Sequence, residues 1–172
     1  MTGATSSILA GIVLAGALAA LAVSDPPREL IGNAAAVDGD TIRLGGARVR
    51  LWGIDAPESL QTCQDGLGHP WACGAAATAT MRGMLARDSV VTCVARDRDR
   101  YGRLVALCKN GAGDLGLRMV ALGMAIDWAR YSHHFYRDAQ DAAREVRAGI
   151  WAGTFEEPAQ WRREHQPTGE SK

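Results

Sequence analysis

The chain contains 172 residues, a length that favours one domain with extensions over a multidomain protein. Its hydrophobic content of 47% and its charged content of 22% are typical of a globular protein. The formal net charge is zero, so the overall charge gives no independent support for nucleic-acid binding.

An apolar run of Ile, Leu, Val, Ala and Gly occupies Ile8–Val23. It is short for a membrane span, which needs about 20 residues, and it fits the core of a signal peptide with a small-residue cleavage site at Ala20-Leu-Ala22. Because Met1–Ser7 carries no Lys or Arg, an uncleaved N-terminal anchor is a second interpretation, and a buried helix is a third, less favoured one. We expect residues 1–23 to be a signal peptide or membrane anchor and residues 24–33 to be an exposed linker.

Alternating apolar residues bounded by turn residues predict five strands. They span Ala34–Val37, Thr41–Leu44, Arg48–Ile54, Ser89–Ala95 and Leu104–Lys109. Helical patterns predict three helices. These are Gly74–Arg87, a helix capped by Asp114 and running to Leu122, and Phe135–Ala148, with Ala125–Trp128 as a short extended segment.

Five strands with a helix between the third and the fourth are typical of an OB-fold barrel. The expected fold class is therefore α+β, mainly β, with a five-stranded OB-fold barrel and about three helices. We expect this domain to cover residues 34–151. Residues 152–172 are assigned to a polar C-terminal tail, and within it Glu156–Lys172, apart from Trp161, is expected to be loosely ordered.

The four cysteines, Cys63, Cys73, Cys93 and Cys108, do not have the close spacings of a zinc site. A hairpin of the last two strands could bring Cys93 and Cys108 together, and a bridge from Cys63 to Cys73 could close the loop between them. We expect both disulfides, and hence export to the periplasm or the extracellular space, because disulfides persist in oxidising compartments. The alternative is four reduced, buried thiols in a cytosolic protein.

Two acidic segments, Val37-Asp-Gly-Asp-Thr41 and Asp55-Ala-Pro-Glu58, each follow a strand-like run. The proline must leave the strand ladder, so both carboxylates of the second segment emerge at one sheet edge. Calcium accepts only oxygen ligands, for which the carboxylates of Asp40 and Asp55 and the backbone carbonyl of Ala56 are candidates. Each segment alone is explained by a hairpin turn or a strand end, and it is the pair that indicates a cation site.

Two arginines accompany these segments. Arg50 alternates with apolar residues in the third predicted strand, and Arg103 closes the charged loop 97–103 where the fifth strand begins. A guanidinium fixed at a strand end is preorganised to bind a phosphate oxygen. The alternative for the loop is a solvated hairpin, which is what most charge runs form.

Taken together, these segments resemble the signature segments of the staphylococcal nuclease (thermonuclease) family. The resembling segments are Val37–Thr41, Arg50–Glu58, Asp99–Arg103, Gly123–Ala125 and Gly149–Trp151, in the family order between about Ala34 and Trp151. The resemblance implies an OB-fold barrel with calcium-dependent phosphodiesterase activity on DNA and RNA that leaves 3′-phosphate ends.

By position, the resemblance also implies roles for single residues. The candidates are Arg50, Glu58 and Arg103 for catalysis, Asp40, Asp55 and Ala56 for calcium binding, and Tyr101, Arg100 and Tyr131 for substrate binding. In this scheme the glutamate orients or deprotonates the attacking water, and the two arginines bind the scissile phosphate. The expected partner is DNA or RNA, preferably single-stranded, bound by a monomer that contacts a membrane only if its N-terminal segment stays uncleaved.

Two other functions remain open. The first is a non-catalytic OB-fold module that binds single-stranded nucleic acid or a protein partner. Such a module has no need for the full set of acidic and arginine side chains, and base stacking usually needs more aromatic residues than the 6% found here. The second is a structural envelope protein held by its N-terminal run, which a chelator-sensitive digestion assay would distinguish from a nuclease.

Overall fold

The computed structural model of the protein describes residues 28–165, and its core is a closed barrel of five strands. The strands are β1 Glu29–Ala36, β2 Thr41–Leu44, β3 Ala47–Leu51, β4 Val90–Arg98 and β5 Leu104–Asn110. Neighbours in the order β3-β2-β1-β4-β5 pair antiparallel, and a parallel pairing of β3 with β5 closes the barrel. This confirms the predicted OB-fold barrel and the α+β class.

Apolar side chains that point inward at alternate positions fill the barrel. Ile42 and Val49 face each other across β2 and β3 and are fully buried, as is Val91 of β4. Gly45 and Gly46 connect β2 to β3 with φ angles of +55° and +82°, a conformation that side chains other than glycine rarely adopt. The predicted glycine turn is therefore present and sets the register of this hairpin.

Strand β1 begins earlier than the sequence predicts, at Glu29 instead of Ala34, so residues 29–33 are not part of a linker. They pair with Val90–Val94 of β4. Gly32 and Asn33 have low strand propensity, but the ladder to β4 outweighs local preference. The expected linker ends before Glu29, and its earlier residues lie outside the described part of the chain.

Strand β3 ends earlier than predicted, at Leu51 instead of Ile54. The chain turns at Gly53, which has a φ of +74° and where a Cβ atom would lie 2.9 Å from the Cβ of Ser132. After this turn Ile54–Asp55 pairs with Ile126–Asp127 in a separate two-residue ladder. The break in the strand gives Asp55 a position fixed by its own hydrogen-bonded partner.

The described residues contain five α-helices, more than the three that the sequence predicts. They are α1 Cys73–Arg87, α2 Leu115–Ala121, α3 Ala129–Ser132, α4 Arg137–Glu145 and α5 Pro158–His165. Helix α1 buries the predicted apolar stripe, and the carboxylate of Asp114 caps α2 by accepting a 3.0 Å hydrogen bond from the Leu117 amide. The helix expected over 135–148 is the shorter α4, because Arg147 adopts a left-handed φ of +52° before a 3-10 turn at Gly149–Ala152.

The C-terminal segment is folded as far as His165, whereas the sequence predicts loose order from Glu156 onward. The Gln64 amide donates a 2.8 Å hydrogen bond to the carbonyl of Thr154, and Pro158 begins α5 as a buried residue. The expectation of loose order was wrong for residues 156–165, because contacts with distant residues hold the segment and its own composition does not reveal them. Residues 166–172 lie outside the described part of the chain.

Both predicted disulfides are present. The Cys63–Cys73 bridge closes the loop before α1 with a Cα–Cα distance of 5.6 Å. The Cys93–Cys108 bridge joins residues that are directly opposite in the β4–β5 ladder, with a Cα–Cα distance of 4.1 Å. One bridge therefore fixes a surface loop and the other fixes the barrel wall.

Within residues 28–165, no helix has the length and apolar character that crossing a bilayer requires. The apolar run Ile8–Val23, on which the expected signal peptide or anchor depends, lies outside the described residues.

Candidate active site

Two acidic turns lie against each other at the end of β3. Asp40 closes the β1–β2 turn, where its carbonyl accepts a 2.8 Å hydrogen bond from the Leu51 amide, and Asp55 follows in the next turn. The Ala56 amide donates to Oδ2 of Asp40 at 3.4 Å. Gly39 allows this approach, because a Cβ atom at that position would lie only 2.7 Å from the Cβ of Ala56.

The side chain of Arg50 joins the two carboxylates. Its Nη2 atom is 2.8 Å from Oδ2 of Asp40 and 2.7 Å from Oδ1 of Asp55. Arg50 lies on β3 opposite Thr41, whose hydroxyl donates to Oδ1 of Asp40 at 3.0 Å. The two aspartates are only 5% and 0% exposed, so their charges interact through a poorly polarisable medium. One nitrogen contacts both carboxylates, and the two acids therefore face a common point.

Glu58 is held through its backbone from two sides. Its amide donates a 3.1 Å hydrogen bond to Oε1 of Gln61, a fully buried side chain. Near the start of α1, Gly74 packs so closely that a Cβ atom there would lie 1.6 Å from the Glu58 carbonyl oxygen. Gln61 also donates from Nε2 to the carbonyl of Glu156 at 2.6 Å, so the same side chain ties the Glu58 loop to the segment before α5.

Arg162 of α5 reaches the same carboxylates from the C-terminal end of the chain. Its Nη1 and Nη2 atoms lie 3.0 Å and 2.9 Å from the two oxygens of Asp55 in a bidentate pair. Nη1 also lies 2.7 Å from Oε1 of Glu58. Arg162 is the residue that connects Glu58 to the aspartates, and it was absent from the predicted site.

An aromatic ring borders both guanidinium groups. The guanidinium carbons of Arg50 and Arg162 lie 5.3 Å and 5.7 Å from the centre of the Trp128 ring, within the range of a cation–π contact. Tyr131 packs edge-on against Trp128 with ring centres 4.4 Å apart and is 46% exposed. Trp128 therefore supports the arginines, and Tyr131 presents an accessible ring at the edge of the site.

Burial and charge shift the protonation of this cluster. Burial raises the pKa of Asp55, and the charge of Asp40 acts in the same direction, while the contacts from Arg162 and Arg50 oppose it. For Arg50, burial acts to lower the pKa, but the charges of Asp40 and Asp55 outweigh it and raise the pKa. Burial and the neighbouring Asp40 charge raise the pKa of Asp38 to about 6. The buried carboxylates of Asp40 and Asp55 therefore repel each other, and a bound cation would reduce this repulsion.

Arg103 belongs to a neighbouring cluster in the β4–β5 loop. Its Nε atom lies 2.6 Å from Oδ2 of Asp99, and its amide donates to Oδ1 of the same carboxylate at 2.9 Å. Tyr101 is 67% exposed beside it, with the guanidinium carbons of Arg103 and Arg100 at 5.6 Å and 4.8 Å from its ring centre. The predicted loop residues are thus together, with Arg103 fixed and Tyr101 open to solvent.

The structure brings most of the predicted residues into one cluster. The cluster contains Asp40, Arg50, Asp55, Ala56 and Glu58. Within residues 28–165, the ion pair of Arg103 is with Asp99 and with none of these acids. The parallel pairing of Leu104 with Val49 nevertheless places Arg103, the residue just before β5, beside the strand that carries Arg50.

The sequence pattern missed Gln61, Gly74 and Arg162. A glycine near the start of a helix is unfavourable, so Gly74 could have indicated a close backbone approach. Pro158 is a favoured first residue of a helix, and it precedes Arg162 by four residues, which places the arginine one helical turn further on. No local pattern marks Gln61 as part of the site: its side chain accepts from the Glu58 amide three residues away, but its second hydrogen bond is to the carbonyl of Glu156, 95 residues away.

The donor set fits a hard divalent cation. Such cations prefer carboxylate and carbonyl oxygens. Asp40 and Asp55 offer carboxylates that already face a common positive group, and the backbone of Ala56 lies beside them, since its amide donates to Oδ2 of Asp40. Arg50 compensates the negative charge of both buried carboxylates.

Comparison with known proteins identifies the family to which the chain is similar. Residues 48–153 match the family described as staphylococcal nuclease homologue, a range that contains Arg50, Glu58 and Arg103 but neither Asp40 nor Arg162. The chain is 35% identical over 150 residues to the succinoglycan biosynthesis protein ExoI of Rhizobium meliloti, covering 87% of this chain and 78% of that protein. It is 32% identical over 136 residues to an uncharacterized endonuclease of Haemophilus influenzae, covering 75% of this chain and 70% of that protein.

Proposed function

The chain belongs to the family of staphylococcal nuclease homologues, and on this basis we propose that it is a calcium-dependent nuclease that hydrolyses phosphodiester bonds of DNA or RNA and leaves 3′-phosphate ends. The observation that carries the proposal is the convergence of two buried aspartates with Arg50 and Glu58. Burying such charges costs stability, which a module that only binds nucleic acid on its surface would have no reason to incur.

The proposed ligands of the cation are the carboxylates of Asp40 and Asp55 and the carbonyl of Ala56. Calcium, when bound, would supply the positive charge that neutralises and positions a non-bridging phosphate oxygen. The chain contributes a rigid donor set, because Asp40 and Asp55 are each tied to backbone or side-chain partners before any ligand arrives.

Glu58 is proposed to orient the attacking water and to accept its proton. Its side chain is 28% exposed, so water can reach it, and its backbone is fixed by Gln61 and Gly74. A fixed backbone restricts the positions that the Glu58 carboxylate can adopt. The water that it holds is then better placed for in-line attack on a neighbouring phosphate.

Arg50 and Arg103 are proposed to stabilise the negative charge that grows on the phosphate oxygens in the transition state. Arg103 is suited to this task because Asp99 holds its Nε atom and leaves the two terminal nitrogens of the guanidinium for a phosphate. Arg50 lies on the adjacent strand, so the two groups can approach one phosphate from neighbouring positions.

Substrate binding is proposed to involve Tyr101, Arg100 and Tyr131. The two tyrosines are exposed, and an exposed ring can stack on an unpaired base, which favours single-stranded nucleic acid over a duplex. Arg100 lies over the ring of Tyr101 and adds positive charge where a neighbouring phosphate would pass. We propose that the protein acts as a monomer.

We also propose that the protein works in an exported form, because its two disulfides are favoured in an oxidising compartment. Residues 1–23 would then be the signal peptide or anchor. The working domain would include β1 from Glu29 and α5 to His165, which extends it beyond the predicted limits of 34–151.

The test is digestion of single-stranded DNA and RNA by the purified, oxidised protein with calcium or with a chelator. We expect calcium-dependent cleavage, 3′-phosphate ends and loss of cleavage in Glu58→Gln. Binding of nucleic acid without cleavage would reject the nuclease and favour the non-catalytic module. Cleavage that persists in the chelator would reject the calcium assignment.

A further inference from the structure

The contacts of Arg162 leave little of the Asp55 carboxylate for another ligand. Oδ1 accepts from both Arg50 and Arg162, and Oδ2 accepts from Arg162. The same guanidinium holds Oε1 of Glu58. A divalent cation that uses Asp55 would meet two guanidinium groups at the carboxylate it needs, so the positive charges compete for the same oxygens.

Helix α5 is held against the site mainly by polar contacts. Pro158 is the one residue of the helix that is fully buried, while Ala159 and Trp161 are half-buried, so the apolar burial that keeps these eight residues in place is limited. The segment before it is fixed more firmly: a Cβ atom at Gly153 would lie 2.3 Å from the carbonyl oxygen of Gln64, and Gln61 donates to the Glu156 carbonyl. The helix is therefore attached at its beginning and is held further along by Arg162.

We propose that α5 is a gate on the reaction centre, with Arg162 acting as an internal counter-cation that a divalent cation must displace from Asp55 and Glu58. In the closed state the arginine compensates the buried acids and blocks Glu58. A bound cation would neutralise Asp55 in place of Arg162. The bidentate pair would then be weakened, and α5 would move away from the carboxylates. The inference rests on the proposed function for the cation, and Arg162 and the rest of α5 lie outside the matched family range.

Direct calcium binding tests the gate without measuring turnover. Calorimetric titration of the full chain should show that Arg162→Gln binds calcium about tenfold more tightly than the unmodified protein, because one competing charge is gone. Arg162→Lys, which keeps the charge and loses the bidentate geometry, should lie between the two. Arg163→Gln, a change at the exposed neighbour, should leave the affinity unchanged.

Hydrogen exchange supplies the second readout. Calcium should increase the exchange of the amides in 158–165 in the unmodified protein, and Arg162→Gln should show fast exchange there without calcium. Equal or weaker calcium affinity in Arg162→Gln, or no calcium effect on α5, would overturn the gate. If calcium-dependent cleavage persists in that case, the proposed function stands, and reduced turnover in Arg162→Gln would then indicate a phosphate-binding arginine.

A different observation carries a second inference, which concerns the outer face of the barrel. Arg43 and Arg48 lie directly opposite each other on β2 and β3, and both are exposed. Like charges at opposed strand positions are destabilising unless an anion lies between them. Leu104 pairs with Val49 in the parallel ladder of β3 and β5. Arg103, the residue before Leu104, therefore lies beside Arg48 and continues the row of arginines.

A surface groove extends this row. Its lining includes Arg28, Arg48, Arg98 and Arg103 together with the exposed ring of Tyr101, and within the described residues no acidic side chain lines it. We infer that this arginine groove binds the phosphates of a nucleic-acid strand beyond the scissile bond. This inference rests on the proposed function. In it, the nucleic-acid strand continues from Arg103 along the groove.

Binding in an inactive Glu58→Gln background tests the groove separately from cleavage. Changing Arg48 and Arg98 to Gln together should weaken binding of a single-stranded oligonucleotide about tenfold and reduce the salt slope by about 1.4, since each of the two lost phosphate contacts on a single strand contributes about 0.7. A dinucleotide should bind equally well to both proteins. Arg82→Gln on the exposed face of α1 is the control. Unchanged affinity and slope would reject the groove even if cleavage is confirmed.

Discussion

Gly74 lies so close to Glu58 that no side chain fits between them. A Cβ atom at Gly74 would be 1.6 Å from the carbonyl oxygen of Glu58 and 2.6 Å from its carbonyl carbon. The start of α1 therefore fixes the backbone of a proposed catalytic residue, and a change at Gly74 must displace either the helix or the Glu58 loop.

We expect Gly74→Ala to lower the free energy of unfolding by about 1–3 kcal/mol and to lower kcat about 100-fold, since a displacement of about 1 Å is enough for such a loss. Gly83 in the same helix is a matched control, because nothing lies within 4 Å of a Cβ atom there. Gly83→Ala should stabilise the protein by about 0.5–1 kcal/mol and leave kcat unchanged. Urea unfolding and steady-state kinetics measure both effects, and equal kinetics in the two variants would contradict the packing argument.

The proposed roles of Asp40 and Glu58 differ in kind, so their variants should differ as well. Asp40→Asn should weaken calcium binding, because it removes one buried carboxylate from the donor set. Glu58→Gln should leave calcium affinity within about threefold and lower kcat by about 10²–10⁴, the usual range for a lost general base. Calorimetry and kinetics separate the two. If Asp40→Asn binds calcium as tightly as the unmodified protein, its assignment as a ligand is wrong.

Asp99 should make stability depend on pH through its contacts with Arg103. Burial alone acts to raise the pKa of Asp99, but hydrogen bonds from Arg103 and from the Tyr101 amide hold the pKa below its ordinary value. A lowered pKa in the folded state stabilises the protein above the unfolded pKa of about 4, and this stabilisation is lost as the pH falls through the folded pKa.

The difference in unfolding free energy between the unmodified protein and Asp99→Asn should therefore shrink as the pH falls from about 5 to about 2. Urea unfolding at a series of pH values measures it, with Asp141→Asn on the exposed part of α4 as the control. A difference that stays constant over this range would mean that the Asp99–Arg103 pair does not hold in solution.

The barrel and the two acidic turns could be predicted from the sequence because their determinants are local. Apolar alternation in β2 and β3 and the glycines between them define a hairpin in any context. The Cys93–Cys108 disulfide followed from the same reasoning, since these residues lie opposite each other once β4 and β5 pair, whereas Cys63–Cys73 was predicted from the loop that it closes. The start of β1 was missed because Gly32 and Asn33 gain their strand conformation from pairing alone.

The rest of the site depends on contacts between distant parts of the chain. Arg162 lies 107 residues from Asp55 in sequence, and its segment has the polar composition of a tail. Gln61 is fully buried because its two hydrogen bonds join the Glu58 loop to the carbonyl of Glu156. Neither interaction leaves a periodic pattern, so the polar composition favoured a loosely ordered C-terminal tail over a helix.

The two disulfides should contribute similarly to stability but differently to activity. Replacing either pair by alanine should lower the unfolding free energy by about 2–3 kcal/mol, as expected for loops closed over sequence separations of 10 and 15 residues. Loss of Cys93–Cys108 loosens the barrel wall, which β4–β5 hydrogen bonds still hold, so kcat should be retained while the protein is folded. Loss of Cys63–Cys73 loosens the segment that follows Gln61, and kcat should fall because Gln61 then holds the Glu58 backbone less firmly. The comparison is made by measuring kcat at a temperature at which thermal unfolding shows both variants to be folded. Equal losses of kcat in the two variants would mean that the Cys63–Cys73 bridge does not position Glu58.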